Sequence, residues 1–124
     1  MDKKLVLVVE DERTIATLLA HLVRSCGVRV EVAHHGKKAL EMMRAQKPDL
    51  VLLDLIMPIM SGPELLATMD VEPDLKDVPV VVISTAEEPG EAVEREVRHL
   101  RKPFEPSEVK QVVREMLGMD SQGK

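Results

Sequence analysis

Residues 50–58, which read LVLLDLIMP, constrain the fold of this chain more than any other stretch. An aliphatic run delivers one carboxylate, Asp54, and then ends at Pro58. A run this short and this aliphatic is typical of a strand that is buried on both faces of a sheet. A carboxylate at the end of such a strand is costly unless a cation or hydrogen-bond donors meet it. We therefore predict that Asp54 belongs to a site assembled from several parts of the chain.

Four further segments have the patterns of strands. Residues 5–9 and 80–83 are aliphatic throughout, which predicts strands in the middle of a sheet. Residues 28–32 and 97–101 mix apolar with polar residues, as strands near a sheet edge do. Together with residues 50–54, the pattern predicts three central strands and two edge strands.

Helical patterns separate these strands. Apolar residues recur at spacings of three and four in several segments, and a helix is predicted over residues 15–26, 37–46, 64–69, 87–96 and 109–117. The segment 87–96 is the weakest, because Pro89 and Gly90 lie near its start and few of its residues are apolar. Strand–helix alternation predicts an α/β fold with a parallel sheet between two helix layers. The flavodoxin-like order 2-1-3-4-5 puts the aliphatic strands in the centre, so we expect a three-layer (βα)5 sandwich with a shortened fourth helix.

Composition excludes several classes of function. The chain has 124 residues, enough for one domain, and its net charge of -5 argues against a nucleic-acid surface. The single cysteine, Cys26, excludes an internal disulfide and is expected in the core. No apolar run reaches the roughly 20 residues of a membrane span, and the N-terminus lacks a signal-peptide pattern, so we expect a cytoplasmic protein that does not bind membranes. With one Phe and no Tyr or Trp, a flavin site is disfavoured.

Polar residues stand at the carboxyl ends of four predicted strands, where an open parallel sheet forms its ligand crevice. Three of them are acids, two are alcohols and one is an amine: Glu10, Asp11, Asp54, Ser84, Thr85 and Lys102. Clustered carboxylates raise one another's pKa unless a cation joins them, and Mg²⁺ is the cation that suits a few carboxylates. Asp54 can then act as a nucleophile that forms an aspartyl phosphate. Lys102 and a hydroxyl from the fourth strand can hold the phosphoryl oxygens.

Four motifs, in this order, give the sequence a specific resemblance. They are VEDE at 9–12, PDLVLLDLIMP at 48–58 with Gly62, PVVVISTA at 79–86, and KPF at 102–104. The chain resembles the receiver domain of two-component response regulators, in particular the single-domain chemotaxis type. The resemblance covers residues 3–118. We expect one receiver domain over 1–118 and a tail over 119–124.

The resemblance implies roles for individual residues. Asp54 would be the phosphoacceptor, and Mg²⁺ would be held by Glu10, Asp11, Asp54 and the backbone carbonyl of Ile56. Lys102 would contact the phosphoryl group, and the peptide bond between Lys102 and Pro103 would be cis.

The switch positions follow from the same resemblance. Ser84 matches the switch hydroxyl when residues are counted from Pro79, and Thr85 matches it when they are counted from Ala86. We prefer Ser84, because strand length fixes the distance from Pro79. His99 occupies the position where the family usually has Tyr or Phe.

These residues suggest three possible functions. The first is a phosphoacceptor switch that takes its phosphoryl group from a histidine kinase or a phosphotransfer protein. It would act on a downstream protein or on an effector domain outside this chain, without contacting nucleic acid. It would catalyse only its own phosphorylation and dephosphorylation. The second is a degenerate receiver that binds a protein without phosphorylation. Glu10 in place of the usual Asp, His99 and the short fourth helical segment favour it. The third, a phosphatase of the haloacid-dehalogenase type, is disfavoured because Ile56 stands where that class has a second Asp.

Overall fold

The computed structural model of the protein describes residues 3–55, 59–84 and 97–119. Its strands are β1 (Leu5–Val9), β2 (Arg29–Ala33), β3 (Leu50–Asp54), β4 (Val80–Ser84) and β5 (Arg98–Arg101). Its helices in these ranges are α1 (Arg13–Arg24), α2 (Gly36–Ala45), α3 (Gly62–Val71) and α4 (Pro106–Met116). None of them combines the length and the apolar character that a membrane-crossing helix requires.

The five strands form one parallel sheet in the order β2-β1-β3-β4-β5, which confirms the predicted flavodoxin-like topology. Every residue of β1, β3 and β4 is buried, whereas β2 and β5 carry exposed residues. The sheet places Val9 beside both Ala33 and Leu53, and Asp54 beside Ile83. The carboxyl ends of the strands therefore lie along one edge.

Each face of the sheet has its own hydrophobic core. Alternate residues of β1 and β3, such as Leu7 and Leu53, pack against α2 and α3, and their neighbours Val8 and Leu52 pack in the core that contains residues of α1 and α4. This alternation follows from the two-residue period of a strand. Cys26 is buried in the second core, as predicted.

Helix α3 is longer than the sequence pattern predicted. It begins at Gly62 and ends at Val71, whereas the expected helix covered residues 64–69. A capping box fixes its start, since Ser61 Oγ accepts a hydrogen bond from the Glu64 amide and the Glu64 carboxylate accepts one from the Ser61 amide. The predicted helix over 87–96, with its expected shortening, lies outside the described residues.

Gly62 brings the start of α3 against the end of β3. Its amide donates to the Leu55 carbonyl at 3.0 Å, and a Cβ atom at this position would lie 2.6 Å from Leu55 Cα. This close approach is possible because glycine lacks a side chain. It fixes the backbone that follows Asp54.

Candidate functional site

The carboxyl edge of the sheet brings five predicted site residues together, four of which end a strand or directly follow one. Asp54 and Ser84 are the last residues of β3 and β4, and Glu10 and Lys102 directly follow β1 and β5. The Lys102 amide donates to the Ser84 carbonyl at 2.8 Å, which extends the pairing of β4 and β5 to the site. The fold thus explains why polar residues far apart in sequence share one crevice.

Three carboxylates form the centre of this crevice. Glu10, Asp11 and Asp54 each offer one oxygen atom, and these atoms lie within 4.8 Å of one another. Glu10 and Asp54 are buried, with 1% and 7% of their surface exposed, whereas Asp11 is open to solvent. An all-oxygen set with one accessible side fits a hard divalent cation that keeps some of its water.

Lys102 supplies positive charge at the cluster. Its Nζ lies 3.3 Å from Glu10 Oε1 and 3.8 Å from Asp54 Oδ1, and its side chain is mostly buried. Among the ion pairs recorded for the described residues, one ammonium group faces three carboxylates, so within this group negative charge remains in excess when all three are ionised. That excess is the electrostatic condition under which such a site binds a cation.

Burial and the neighbouring Asp54 carboxylate both shift the pKa of Glu10. Burial raises the pKa of Glu10 to about 7, with repulsion by the Asp54 carboxylate and a hydrogen bond shared with it as further causes. The Glu12 amide, which donates to Glu10 Oε2 at 3.3 Å, and the charge of Lys102 lower that pKa and only partly offset the increase. Without a metal, Glu10 therefore takes up a proton near neutral pH. That proton occupies the electrostatic role that a cation would fill.

The remaining predicted positions divide into three groups. Ser84 is buried at the end of β4, on the same edge as Asp54, and the peptide bond between Lys102 and Pro103 is cis as expected. His99 lies in β5, and its Nε2 is buried without a hydrogen-bond partner in the described part of the chain. Ile56 and Thr85 lie outside the described residues.

Comparison with known proteins gives the family. The sequence model of the response regulator receiver domain matches residues 6–114. The chain belongs to this family. Receiver domains are signalling modules of two-component systems, and the crevice described above lies within the matched residues.

Named relatives and solved structures agree with this. Protein Rrf1 of Nitratidesulfovibrio vulgaris is 36% identical over 101 residues, which cover 82% of this chain and 73% of that protein. Other curated relatives are longer, and the chain spans 13% to 38% of the length of several of them. The chemotaxis protein CheY4 of Vibrio cholerae has the same fold, with a TM-score of 0.84 and 28% identity over 93% of this chain and 99% of that one.

A second solved structure contains a metal. The receiver domain of the sensor histidine kinase PA1611 from Pseudomonas aeruginosa PAO1, with magnesium coordinated in its active site cleft, has a TM-score of 0.85 and 22% identity. The aligned residues cover 94% of this chain and 98% of the PA1611 receiver domain. At this identity the similarity establishes a shared fold.

One contact to the site was not predicted from the sequence. His34, to which no sequence motif assigns a role, has its Nδ1 3.1 Å from the backbone carbonyl of Glu10. This contact arises from the register of β1 against β2, which the sequence did not indicate.

Proposed function

We propose that this receiver domain is a phosphoacceptor switch in which Asp54 takes a phosphoryl group from a histidine kinase or a phosphotransfer protein. One observation carries the proposal. The Asp54 carboxylate ends a buried strand, within 4.8 Å of the Glu10 and Asp11 carboxylates and 3.8 Å from the Lys102 ammonium group. A nucleophile, ligands for a cation and a fixed positive charge thus meet at one point.

The transfer would be a displacement at phosphorus. An Asp54 oxygen forms the new bond to phosphorus while the bond from phosphorus to the donor's imidazole nitrogen breaks, and that nitrogen keeps the electron pair. Lys102 offers its ammonium group to the charge that spreads over the phosphoryl oxygens. Because Asp54 is buried, this charge–charge interaction is screened less than it would be in water.

We propose Mg²⁺ as the cofactor, held by Glu10, Asp11, Asp54 and the backbone carbonyl of Ile56. When bound, the ion supplies positive charge that brings a phosphoryl group to a crevice of like charge. The donor set supports this assignment, since all three side chains offer oxygen, and repulsion by Asp54 adds to burial in raising the pKa of Glu10. The magnesium in the PA1611 receiver domain is consistent with it.

We propose that phosphorylation changes the surface of the domain through β4 and β5. The Ser84 hydroxyl, or that of Thr85, would contact the phosphoryl group. The hydrogen bond from the Lys102 amide to the Ser84 carbonyl joins the ends of both strands at this point. A surface that includes His99 would then change its affinity for a downstream protein or for an effector domain outside this chain. We further propose that the domain spans residues 1–118, acts in the cytoplasm, and catalyses only its own phosphorylation and dephosphorylation.

A second candidate is a receiver that binds its partner without phosphorylation. The observation in its favour is that Lys102 lies closer to Glu10 than to Asp54, at 3.3 Å against 3.8 Å. The charge of Lys102 and the proton that Glu10 takes up near neutral pH can together keep the crevice neutral enough to persist without a metal. In that case Asp54 would serve only to stabilise the fold.

Incubation with acetyl phosphate and MgCl₂, followed by intact mass spectrometry, tests the two functions. Mass is the suitable readout because the chain has no Trp or Tyr to report binding by fluorescence. The switch predicts a gain of one phosphoryl group in the wild type and no gain in Asp54→Asn. The control Asp74→Asn makes the same chemical change at an exposed position before β4 and should be phosphorylated normally. No gain in the wild type with this donor or with phosphoramidate would favour the binding module.

A further inference from the structure

His34 joins three parts of the structure beside the acidic cluster. It follows β2 directly, its Nδ1 lies 3.1 Å from the Glu10 carbonyl, and its Nε2 lies 3.4 Å from Nη1 of Arg13. Arg13 is the first residue of α1, so a single imidazole contacts both sides of the acidic loop between β1 and α1. The mechanism proposed above assigns no role to this residue.

The register of the sheet explains why His34 reaches the Glu10 carbonyl. Val9 pairs with Ala33, so Glu10 and His34 are the next residues along the two strands. The Glu10 amide still donates to the Ala33 carbonyl at 3.0 Å, as in a regular ladder. Its carbonyl is met by the imidazole of His34, a side-chain donor at the end of the ladder. Both polar groups of the Glu10 backbone are therefore bound by consecutive residues at the end of β2.

The chemistry of the two contacts fixes the position of the ring proton. A guanidinium group has only donors, so Nε2 of His34 must accept from Arg13. The proton of the neutral ring then lies on Nδ1, where it can be donated to the Glu10 carbonyl. Arg13 thus selects the tautomer that binds Glu10, as a neighbouring group does for histidines in many functional sites.

We propose that His34 is a positioning residue, which holds the peptide between Glu10 and Asp11 so that both carboxylates face Asp54. This rests on the proposed function of the acidic cluster as a Mg²⁺ site. The peptide plane sets the directions in which the two side chains leave the backbone.

Three variants test the proposal in a calorimetric titration with MgCl₂. In His34→Ala the Glu10 carbonyl loses its donor, and we expect the Kd for Mg²⁺ to rise about threefold to tenfold, the equivalent of one hydrogen bond. In His34→Asn an amide donor replaces Nδ1–H, and the affinity should return to within about twofold of the wild type. In His35→Ala the adjacent histidine is removed; its Nδ1 caps α2 by accepting from the Lys38 amide, so this control should lose thermal stability and keep its Mg²⁺ affinity.

The outcomes separate the two proposals. If the wild type binds Mg²⁺ and His34→Ala binds it equally well, the positioning role is wrong and the metal site stands. If the wild type does not bind Mg²⁺, the metal site and the role of His34 both fall. Equal loss of affinity in His34→Ala and His35→Ala would also refute positioning, because a general effect on folding would then explain both.

A measurement on the wild type alone avoids any effect of substitution on folding. Long-range proton–nitrogen NMR spectra distinguish the two neutral tautomers of an imidazole. At alkaline pH, in the absence of metal, the His34 ring should carry its proton on Nδ1. A ring protonated on Nε2 would overturn the proposal, because that tautomer cannot donate to the Glu10 carbonyl.

Discussion

Replacing Glu10 by Gln should stabilise the metal-free protein, and the gain should depend on pH. The pKa of Glu10 is raised to about 7 from an ordinary value of 4.5, mainly by burial and by Asp54. Between these two values the folded state binds a proton that the unfolded state has already released. The stability contributed by that proton is complete below about pH 4.5 and is lost as the pH rises through about 7. Gln mimics the protonated side chain at every pH.

The size of the effect follows from the same two values. A difference from 4.5 to about 7 corresponds to roughly 3 kcal/mol in the free energy of unfolding. For a domain of this length, about 3 kcal/mol corresponds to a shift of about 10 °C in Tm. The Tm difference between Glu10→Gln and the wild type should therefore be small near about pH 5 and approach about 10 °C near about pH 8.

Thermal unfolding by circular dichroism, in EDTA and across this pH range, measures the difference. Carboxylates outside the site whose pKa is lowered, such as Glu72 beside Arg44, affect both proteins equally and cancel when the two curves are subtracted. Adding Mg²⁺ at the higher pH should raise the Tm of the wild type and leave that of Glu10→Gln nearly unchanged. A Tm difference that stays constant with pH would refute the claim that Glu10 carries the buried, uncompensated charge.

Three further predictions concern single positions. Ile59→Asn should raise the free energy of unfolding by about 1 kcal/mol in urea titration, because Ile59 is 70% exposed and its φ of 71° suits Asn better than a β-branched residue; a loss of stability would contradict this. Gly36→Ala should lower it by about 1–3 kcal/mol in the same assay, since the new Cβ would lie 2.6 Å from the Met60 carbonyl oxygen, and an unchanged midpoint would show that this loop yields easily. Lys102→Met should raise the pKa of Glu10 further, so that the pH-dependent loss of Tm extends to higher pH. The same substitution should slow phosphorylation at least about tenfold, and a normal rate would show that Lys102 takes no part in the transfer.

The sequence predicted the sheet well because its strands differ in composition. Uninterrupted aliphatic residues in β1, β3 and β4 require burial on both faces, and only the central positions of a sheet covered by two helix layers provide it. The start of α3 was missed although the signal was present. Ser61 and Glu64 have the spacing of a capping box, which marks Gly62 as the first helical residue, two residues before the predicted start.

The sequence predicted which residues meet at the site, but not which of its acids has the raised pKa. Strand ends showed which residues would meet, and repulsion among carboxylates predicted a raised pKa somewhere in the cluster. Which acid carries it could not be read from the sequence, because this depends on Glu10 being more buried than Asp11. The contact from His34 to the Glu10 carbonyl was likewise hidden, since it arises from the pairing of Val9 with Ala33.

The central claim, that Asp54 receives the phosphoryl group, is tested most directly by locating the modification. After treatment with acetyl phosphate and Mg²⁺, borohydride reduces an aspartyl phosphate to homoserine, and peptide mass spectrometry then identifies the altered residue. The proposed function predicts homoserine at position 54 alone, and none when Mg²⁺ is replaced by EDTA. Homoserine at position 11, or an unmodified Asp54 in protein that has gained a phosphoryl group, would contradict it.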